Sequence, residues 1–296
     1  MGHDTSPHVV RASTLIEALP YIRQYHGATF VVKYGGSAMA SETLSDAVMQ
    51  DIVLLSLVGV RVIVVHGGGP QVSAMMRRLG KEPTFVQGQR VTDAETMEIA
   101  EMVLAGRVNK DIAARIQRLG GKAVGLSGCD GGLLSASRKT METADGAVDL
   151  GFVGDITAVD TTILQTLTER GFIPVVCSIG VGPDGESLNI NADHAAGRVA
   201  AALGAQKVLM LTDVRGVMRD PADPSSLIAS LSVAEAEGLV VDGVAEGGMI
   251  PKLRACIDAV KAGAEKAHIV DGRIEHAILI EVFTDEGVGT MVVPDA

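Results

Sequence analysis

Short β-branched runs alternate with helical patterns along most of this chain, and two of the runs end in glycines. The run TFVVKY (29–34) is followed by a glycine pair, and RVIVV (61–65) leads into the triple glycine of VVHGGGP (64–70). Strands that are apolar throughout are typical of a parallel sheet covered by helices on both faces. We therefore predict a three-layer αβα sandwich around a mostly parallel sheet, with the ligand beyond the carboxyl ends of its strands.

The same periodicities predict the remaining elements. Further strands are expected at 122–126, 173–177, 207–211, 267–270 and 277–283. Helices are expected at 9–26, 41–59, 71–79, 161–170, 193–203 and 251–262, and Pro20 interrupts the first of them. Thr92 and Glu95 are expected to form a capping box that opens another helix, and the region 128–157 a hairpin or lid.

Composition narrows the class of protein. The net charge of −11 and the pI near 5.1 argue against nucleic acid or an anionic membrane as the partner. Three cysteines without CxxC spacing predict free thiols rather than disulfides or a zinc site. The apolar run 52–60 is too short to span a bilayer, and no secretory signal is evident, so we expect a cytoplasmic protein.

Glycines between the end of a strand and the start of a helix can form an anion site, because no side chains obstruct their backbone N–H groups. Two such loops on neighbouring strands could hold two parts of one anionic ligand. The sequence lacks the P-loop, since Gly121 and Lys122 are followed by Ala123, and it lacks GxGxxG after a strand. The loops therefore predict an anion site of another kind.

Polar side chains accompany these strand ends. Lys33 lies one residue short of a glycine pair within an apolar strand, where a phosphate partner explains it better than a strand-edge position. Other candidates at strand or helix ends are Lys252 in GGMIPK, Asn189, Asn191 and Asp193 in LNINAD, and Thr212 with Asp213 in LMLTD. One residue of LNINAD is expected to serve as a helix N-cap, and Asp193 is expected to have a role in the site beyond capping.

Six motifs together carry a resemblance to a known family. VVKYGGSAM, VVHGGGP, GQRVT, LNINADHAA, LMLTDVRGV and GGMIPK occur in the order found in the amino-acid kinase family. The chain resembles, from about residue 29 to 296, the branch that phosphorylates N-acetyl-L-glutamate in arginine biosynthesis, in its arginine-sensitive form. The resemblance implies an N-terminal arm at 1–28, a substrate lobe at about 29–190 and a nucleotide lobe at about 191–296.

The resemblance also implies an activity. The γ-phosphoryl group of ATP would pass to the γ-carboxylate of N-acetyl-L-glutamate, giving N-acetyl-L-glutamyl 5-phosphate and ADP, with Mg²⁺ held through phosphates and by no protein ligand. That carboxylate, with a pKa of roughly 4.3, needs no general base. We therefore interpret His66, beside the triple glycine, as structural.

Site residues follow from the same resemblance. The implied catalytic residues are Lys33, Lys252 and Asp193, which would position both lysines. The implied substrate-binding residues are Gly67 and Gly68 through their N–H groups, Arg90 and Asn189. The implied nucleotide-binding residues are Lys33, Gly35, Gly36, Thr212, Asp213, Met249 and Lys252.

The C-terminal stretch 268–290 resembles the arginine-sensitive members, as does the helix before the first strand. The implied L-arginine site comprises Lys207, His268, Glu281 and Gly287, and the N-terminal helices would join three dimers into a homohexamer. Two alternatives stay open: a carbamate or uridylate kinase of the same fold, and a non-catalytic arginine-sensing domain, which would be expected to lack Lys33 and Lys252.

Overall fold

The computed structural model describes residues 7–39, 41–143, 146–220, 223–243, 249–284 and 287–295. Residues 1–6, at the start of the N-terminal arm that the resemblance implies, and the glycine pair that precedes Lys252 in the sequence lie outside the described residues. None of the helices in the described ranges combines the length and apolar composition needed to cross a bilayer.

The helices alternate with strands as the sequence predicts. In chain order they are α1 (Pro7–Glu17), α2 (Leu19–Tyr25), α3 (Glu42–Leu57), α4 (Gly69–Arg78), α5 (Ala94–Glu101), α6 (Asn109–Arg118), α7 (Thr162–Glu169), α8 (Ala192–Ala202), α9 (Val233–Val241), α10 (Met249–Lys261) and α11 (Ala277–Phe283). Short 3₁₀ turns lie at Gly36–Met39, Asp130–Gly132 and Pro224–Ser226. A π-helical stretch, Met102–Val108, joins α5 directly to α6.

The strands are β1 (Thr29–Tyr34), β2 (Arg61–His66), β3 (Phe85–Val86), β4 (Gln89–Arg90), β5 (Ala123–Ser127), β6 (Leu134–Thr143), β7 (Gly146–Val159), β8 (Ile173–Cys177), β9 (Ile179–Val181), β10 (Ser187–Asn189), β11 (Lys207–Thr212), β12 (Ser230–Ser232), β13 (Ala267–Asp271) and β14 (Thr290–Val293). The central sheet has eight strands in the order β12-β14-β13-β11-β1-β2-β8-β5. All of its pairs are parallel except β13 with β14.

Helices cover both faces of this sheet because alternate strand residues point to opposite sides. Val31 and Ile63 pack into a core shared with α8 and α10, and Phe30 and Val64 into a second core shared with α3 and α6. The three-layer αβα sandwich around a mostly parallel sheet is thereby confirmed. The predicted hairpin at 128–157 is β6 with β7, which closes into a small four-stranded barrel with β9 and β10.

Two predicted elements are wrong. The run 277–283 is helix α11 rather than a strand, because Ile278 and Val282, one helical turn apart, are both buried against the core. Thr92 does not cap a helix: Asp93 is the N-cap of α5 and accepts from the backbone N–H of Thr96. The hydroxyl of Thr92 donates instead to the carbonyl of Arg90.

The N-terminal segment is two helices rather than the single predicted one. Helix α1 ends at Glu17, and α2 begins at Leu19 with Pro20 in its first turn, where a missing N–H costs nothing. Ser41 occupies the N-cap position of α3, but its side chain makes no capping hydrogen bond. The break at Ala18 separates an outer helix from one that contacts α11.

Candidate active site

The two glycine loops meet because β1 and β2 are adjacent and parallel. Tyr34, the last residue of β1, stands opposite His66, the last residue of β2. The backbone N–H of Gly67 then donates to the carbonyl of Tyr34, with 3.2 Å between N and O. Beyond these strand ends lies a cleft of about 240 Å³ lined by both loops, Lys33, Arg90 and the start of α8. This volume lies just below the usual range for small-molecule sites, roughly 300–1,000 Å³.

Lys33 and Asp193 form an ion pair inside this cleft. Lys33 shares a strand face with Val31, the face that α8 covers, so its side chain extends toward the first turn of α8. There its Nζ lies 2.9 Å from Asp193 Oδ1, with both side chains more than four-fifths buried. A buried lysine with one counter-charge retains N–H donors for a second anion. Lys33 therefore has free donors in the cleft, and its role in binding phosphate stays a prediction.

Bare backbone at the loops leaves the space around this lysine open. A Cβ atom on Gly35 would lie 3.6 Å from Lys33 Nζ, and one on Gly67 would lie 3.3 Å from the Cβ of Ala192. A Cβ on Gly68 would come within 2.7 Å of Leu104, in the π-helical stretch. The glycines thus allow α8 and the π-helical stretch to approach the loop closely.

The two predicted N–H donors of the triple glycine differ. The N–H of Gly67 is already bonded to the Tyr34 carbonyl, so it is not available to a substrate in this conformation. Within the described residues the N–H of Gly68 has no hydrogen-bond acceptor. Gly68 is therefore the donor of this pair that can bind an anion in the cleft.

Arg90 is held at the opposite wall of the cleft. Its Nη2 donates to the carbonyl of Gly69 at 2.9 Å and to Ser73 Oγ at 2.8 Å. Its guanidinium also stacks on Phe85, 4.7 Å from the ring centroid. These contacts fix the plane of the guanidinium while leaving further N–H donors, as binding of a planar carboxylate requires.

The residues of the LNINAD motif have two roles: some line the cleft, and one caps helix α8. The amide of Asn189, at the end of β10, donates to Thr92 Oγ1 at 3.2 Å and lines the cleft beside Arg90. Asn191 is the N-cap of α8, accepting from the N–H groups of Asp193 and His194. The expectation that one of these residues is a cap is confirmed, and Asp193 faces Lys33 as described above.

The remaining predicted nucleotide residues lie on the β11 side of the site. Thr212 ends β11 next to β1, and its hydroxyl bonds within the turn at Val214. Lys252 Nζ lies 3.7 Å from the exposed Asp213, so these two residues form an ion pair across the turn. Met249 is half-buried at the start of α10. Positioning of Lys252 by Asp193 stays a prediction, since Asp213 is the acid that Lys252 contacts.

The four residues of the predicted arginine site lie together: Lys207, His268 and Glu281 form a buried series of contacts, and the partly exposed Gly287 lies beside Glu281. Lys207 Nζ lies 3.3 Å from His268 Nε2, and His268 Nδ1 lies 2.6 Å from Glu281 Oε1. The other carboxylate oxygen of Glu281 accepts from the backbone N–H groups of Val288 and Gly289. A Cβ on Gly287, where φ is +60°, would come within 2.8 Å of that oxygen.

Burial influences the protonation of Lys207 and His268. It lowers the pKa of Lys207 to about 8 and also lowers the pKa of His268, so the imidazole is neutral at pH 7. A neutral His268 donates its Nδ1 proton to the Glu281 carboxylate and accepts from Lys207 at Nε2. The chain of donors is thereby oriented toward Glu281.

Three residues near the site carry no signal that the sequence analysis used. Ser73 and Phe85 hold Arg90, and Asn109, fully buried at the start of α6, donates to His66 at 3.0 Å. Of these, Asn109 was detectable in principle, because it is a polar residue in line with the apolar face formed by Ile112 and Ile116.

The carboxylates of the site are already engaged by lysines. Asp193 contacts Lys33 and Asp213 contacts Lys252. Across the described parts of the chain, no group of three or more His, Cys, Asp or Glu side chains could hold a metal ion. This donor set fits a cation that arrives on the phosphates of a nucleotide, rather than one ligated by protein carboxylates.

Comparison with known proteins gives a consistent picture. The model of the amino acid kinase family matches residues 28–271. The chain is 57% identical over 288 residues to the acetylglutamate kinase of Moorella thermoacetica, covering 96% of this chain and 97% of that one. It is 52% identical over 283 residues to the acetylglutamate kinase of Thermosynechococcus vestitus, covering 96% and 94%.

Solved structures share the fold at lower identity. The N-acetylglutamate synthase of Neisseria gonorrhoeae, in complex with coenzyme A and N-acetyl-glutamate, is 28% identical with a TM-score of 0.82; the match covers 96% of this chain and 64% of that chain. This chain therefore spans somewhat less than two thirds of the synthase. The carbamate kinase of Giardia lamblia bound to AMP-PNP is 16% identical with a TM-score of 0.64, covering 91% and 99%.

Proposed function

Since the chain belongs to the amino acid kinase family, we propose that it is an acetylglutamate kinase that phosphorylates the γ-carboxylate of N-acetyl-L-glutamate in arginine biosynthesis. The observation that carries this conclusion is the meeting of the Lys33–Asp193 ion pair with two glycine loops in one cleft. Arg90 on the opposite wall supplies the partner for the second carboxylate of such a substrate.

The chemistry requires charge neutralisation rather than proton transfer. An oxygen of the γ-carboxylate, ionised at neutral pH, attacks the γ-phosphorus of ATP, and the bond from that phosphorus to the β,γ-bridging oxygen breaks as ADP leaves. In this proposal the Lys33 ammonium and the Gly68 N–H, which line the same cleft, stabilise the equatorial oxygens as these gain charge. Removing one such donor typically costs on the order of 2.7–4 kcal/mol of barrier.

We assign residues 29–190 to the lobe that binds the acyl amino acid and 191–296 to the lobe that binds ATP. Strand β1 lies in the middle of the sheet, with β2 on one side and β11 on the other. Arg90 and Asn189 line the cleft from the first part of the chain, and Thr212, Asp213, Met249 and Lys252 come from the second. Mg²⁺ would enter with the nucleotide, bound to its phosphates, and would neutralise part of their charge.

The test is formation of an acyl phosphate, trapped with hydroxylamine, from ATP and N-acetyl-L-glutamate. Product with N-acetyl-L-glutamate and none with N-acetyl-L-aspartate, which is one methylene shorter, supports the proposal. Release of ADP with carbamate or UMP, but not with N-acetyl-L-glutamate, would replace it with another kinase of this fold; ADP is the readout for these two acceptors because UDP is not an acyl phosphate. A folded protein without any product would replace it with the non-catalytic sensor.

We further propose that L-arginine inhibits this enzyme by binding at the site formed by Lys207, His268, Glu281 and Gly287. Glu281 is the natural partner for a guanidinium, and its carboxylate uses three acceptor positions, which leaves one free. The aromatic ring of Tyr25, in α2, lies 5.2 Å from Lys207 Nζ. Helix α2, the second of the two N-terminal helices, thus contacts the proposed arginine site directly.

The same helices support the proposal of a homohexamer built from three dimers. Leu15 and Ile16 in α1 are 74% and 68% exposed, which is a surface suited to another subunit. Sedimentation of the full chain is expected to give a hexamer, and a Leu15→Glu, Ile16→Glu double variant a dimer. A monomer in both cases would contradict the assembly. The cytoplasmic location stays a prediction.

A further inference from the structure

His66 is completely buried at the end of β2, and its side chain contacts the carbonyl of the next residue, Gly67, in the glycine loop. Its Nδ1 lies 2.9 Å from the carbonyl oxygen of Gly67. Its Nε2 lies 3.0 Å from Nδ2 of Asn109, the first residue of α6. His66 lies on the same strand face as Val64, which α6 covers, so the two polar side chains meet in an otherwise apolar core.

The orientation of Asn109 decides which nitrogen of His66 carries the proton. Asn109 Nδ2 also donates to the carbonyls of Leu126 and Val175, at 3.1 and 2.8 Å, so its two hydrogens are shared among these carbonyls and His66 Nε2. Its Oδ1 accepts from Lys110 at 3.1 Å. A flipped amide would place Oδ1 against two carbonyl oxygens, so the amide cannot turn. Nε2 of His66 is therefore an acceptor, and its Nδ1 is the donor to Gly67.

Burial keeps this histidine in the neutral form that the network needs. It lowers the pKa of His66 to about 4, with a smaller contribution from the nearby Lys110 charge. A protonated ring would bring an Nε2 hydrogen against the Asn109 amide hydrogens. At neutral pH the imidazole therefore has one tautomer and one orientation.

The contact with the Gly67 carbonyl determines the direction of the next N–H. The C=O of Gly67 and the N–H of Gly68 belong to one planar trans peptide, in which the two groups point in opposite directions. With the carbonyl held toward His66, on the α6 side, the Gly68 N–H is directed away from that side. Gly68 lines the cleft, and its N–H has no acceptor among the described residues.

We propose that His66 and Asn109 are positioning residues that lock the Gly67–Gly68 peptide so that the Gly68 N–H points at the transferring phosphoryl group. Neither residue touches substrate. The proposal rests on the proposed function, because it assigns the Gly68 N–H a task in phosphoryl transfer.

Two substitutions at His66 separate positioning from packing. In His66→Asn the side-chain amide nitrogen overlies Nδ1 and keeps a donor to the Gly67 carbonyl. In His66→Gln the amide reaches the Nε2 position instead, and that donor is lost. We expect His66→Gln to lower kcat about 10²-fold with KM for N-acetyl-L-glutamate nearly unchanged, and His66→Asn to recover most of the loss. The two variants should have similar Tm values.

Equal kcat in the two variants, or a loss confined to Tm or KM, would overturn the inference. Proton and nitrogen NMR of the imidazoles in the ¹⁵N-histidine-labelled protein gives a second readout. His66 and His268 are both buried and both expected to carry Nδ1–H, and the His66 signal is the one that disappears in His66→Asn. An Nε2–H tautomer for that signal would overturn the proposal. An inactive wild-type protein would refute the proposed function instead, so the two failures are distinguishable.

Discussion

The buried His66 makes the stability of this protein sensitive to acid in a way that can be calculated. Its pKa is 6.5 in the unfolded chain and about 4 in the folded protein, because burial disfavours the charged ring. Between these values the unfolded state binds a proton that the folded state does not bind. Stability from this group is therefore complete above pH 6.5 and is lost as the pH falls toward 4.

The pKa difference corresponds to about 3 kcal/mol when the loss is complete. Asp51 acts with the opposite sign: burial raises its pKa from 3.8 to about 6, so the folded state binds the extra proton there and gains stability as the pH falls. Because the two effects oppose each other, the pH curve of the wild-type protein alone does not isolate His66. The difference between the wild-type protein and His66→Asn does, since Asp51 is present in both.

We expect this difference in unfolding free energy to shrink by about 2 kcal/mol between about pH 7 and about pH 4.5, in favour of the variant at low pH. The assay is urea unfolding followed by circular dichroism at fixed protein concentration, with linear extrapolation to water. His26→Asn, at an exposed histidine, is the matched control. A difference that does not vary with pH, or that varies equally in the control, would refute the argument.

Three further predictions concern activity, each measured by the hydroxylamine assay. Gly67→Ala should lower kcat on the order of 10²-fold with little change in Tm, because the new Cβ would lie 3.3 Å from the Cβ of Ala192. The control Gly238→Ala, which has open space around its Cβ, should match the wild-type protein. A wild-type rate for Gly67→Ala would contradict the prediction. Arg90→Lys should raise KM for N-acetyl-L-glutamate on the order of tenfold, because an ammonium cannot replace the planar fork, and an unchanged KM would exclude that role. Glu281→Gln should raise the half-inhibitory arginine concentration at least about tenfold while kcat stays the same, and equal inhibition would move the arginine site elsewhere.

The part of the site that could be predicted from the sequence is the part whose residues lie at the ends of parallel strands. Lys33 is the second-last residue of β1, and the two glycine loops directly follow β1 and β2, so the rule that places ligands at carboxyl ends brings them together without further information. Asp193 opens α8, which follows β10 after a two-residue connection. Local pattern and topology agree in these cases, and the prediction needs no knowledge of packing.

Other features depend on contacts between distant parts of the chain. Asn109 is 43 residues away from His66, and nothing local indicates that a helix residue will meet a strand end. The bond between the Gly67 N–H and the Tyr34 carbonyl follows from how two loops approach each other. The seven residues at 277–283, apolar except for Glu281, fit a strand as well as a short helix, and the packing of Ile278 decided between them.

The π-helical stretch between α5 and α6 has a consequence for the length of the chain there. Successive residues of an α-helix are rotated by about 100°, so the number of residues before α6 decides which of its side chains faces the sheet. A π-helical turn holds more residues than an α-helical turn, so if Met102–Val108 became α-helical at the same length, α6 would rotate and Asn109 would turn away from His66. Loops elsewhere in such a fold tolerate changes in length, whereas in this segment the length and the π-helical conformation have to change together for Asn109 to keep its position.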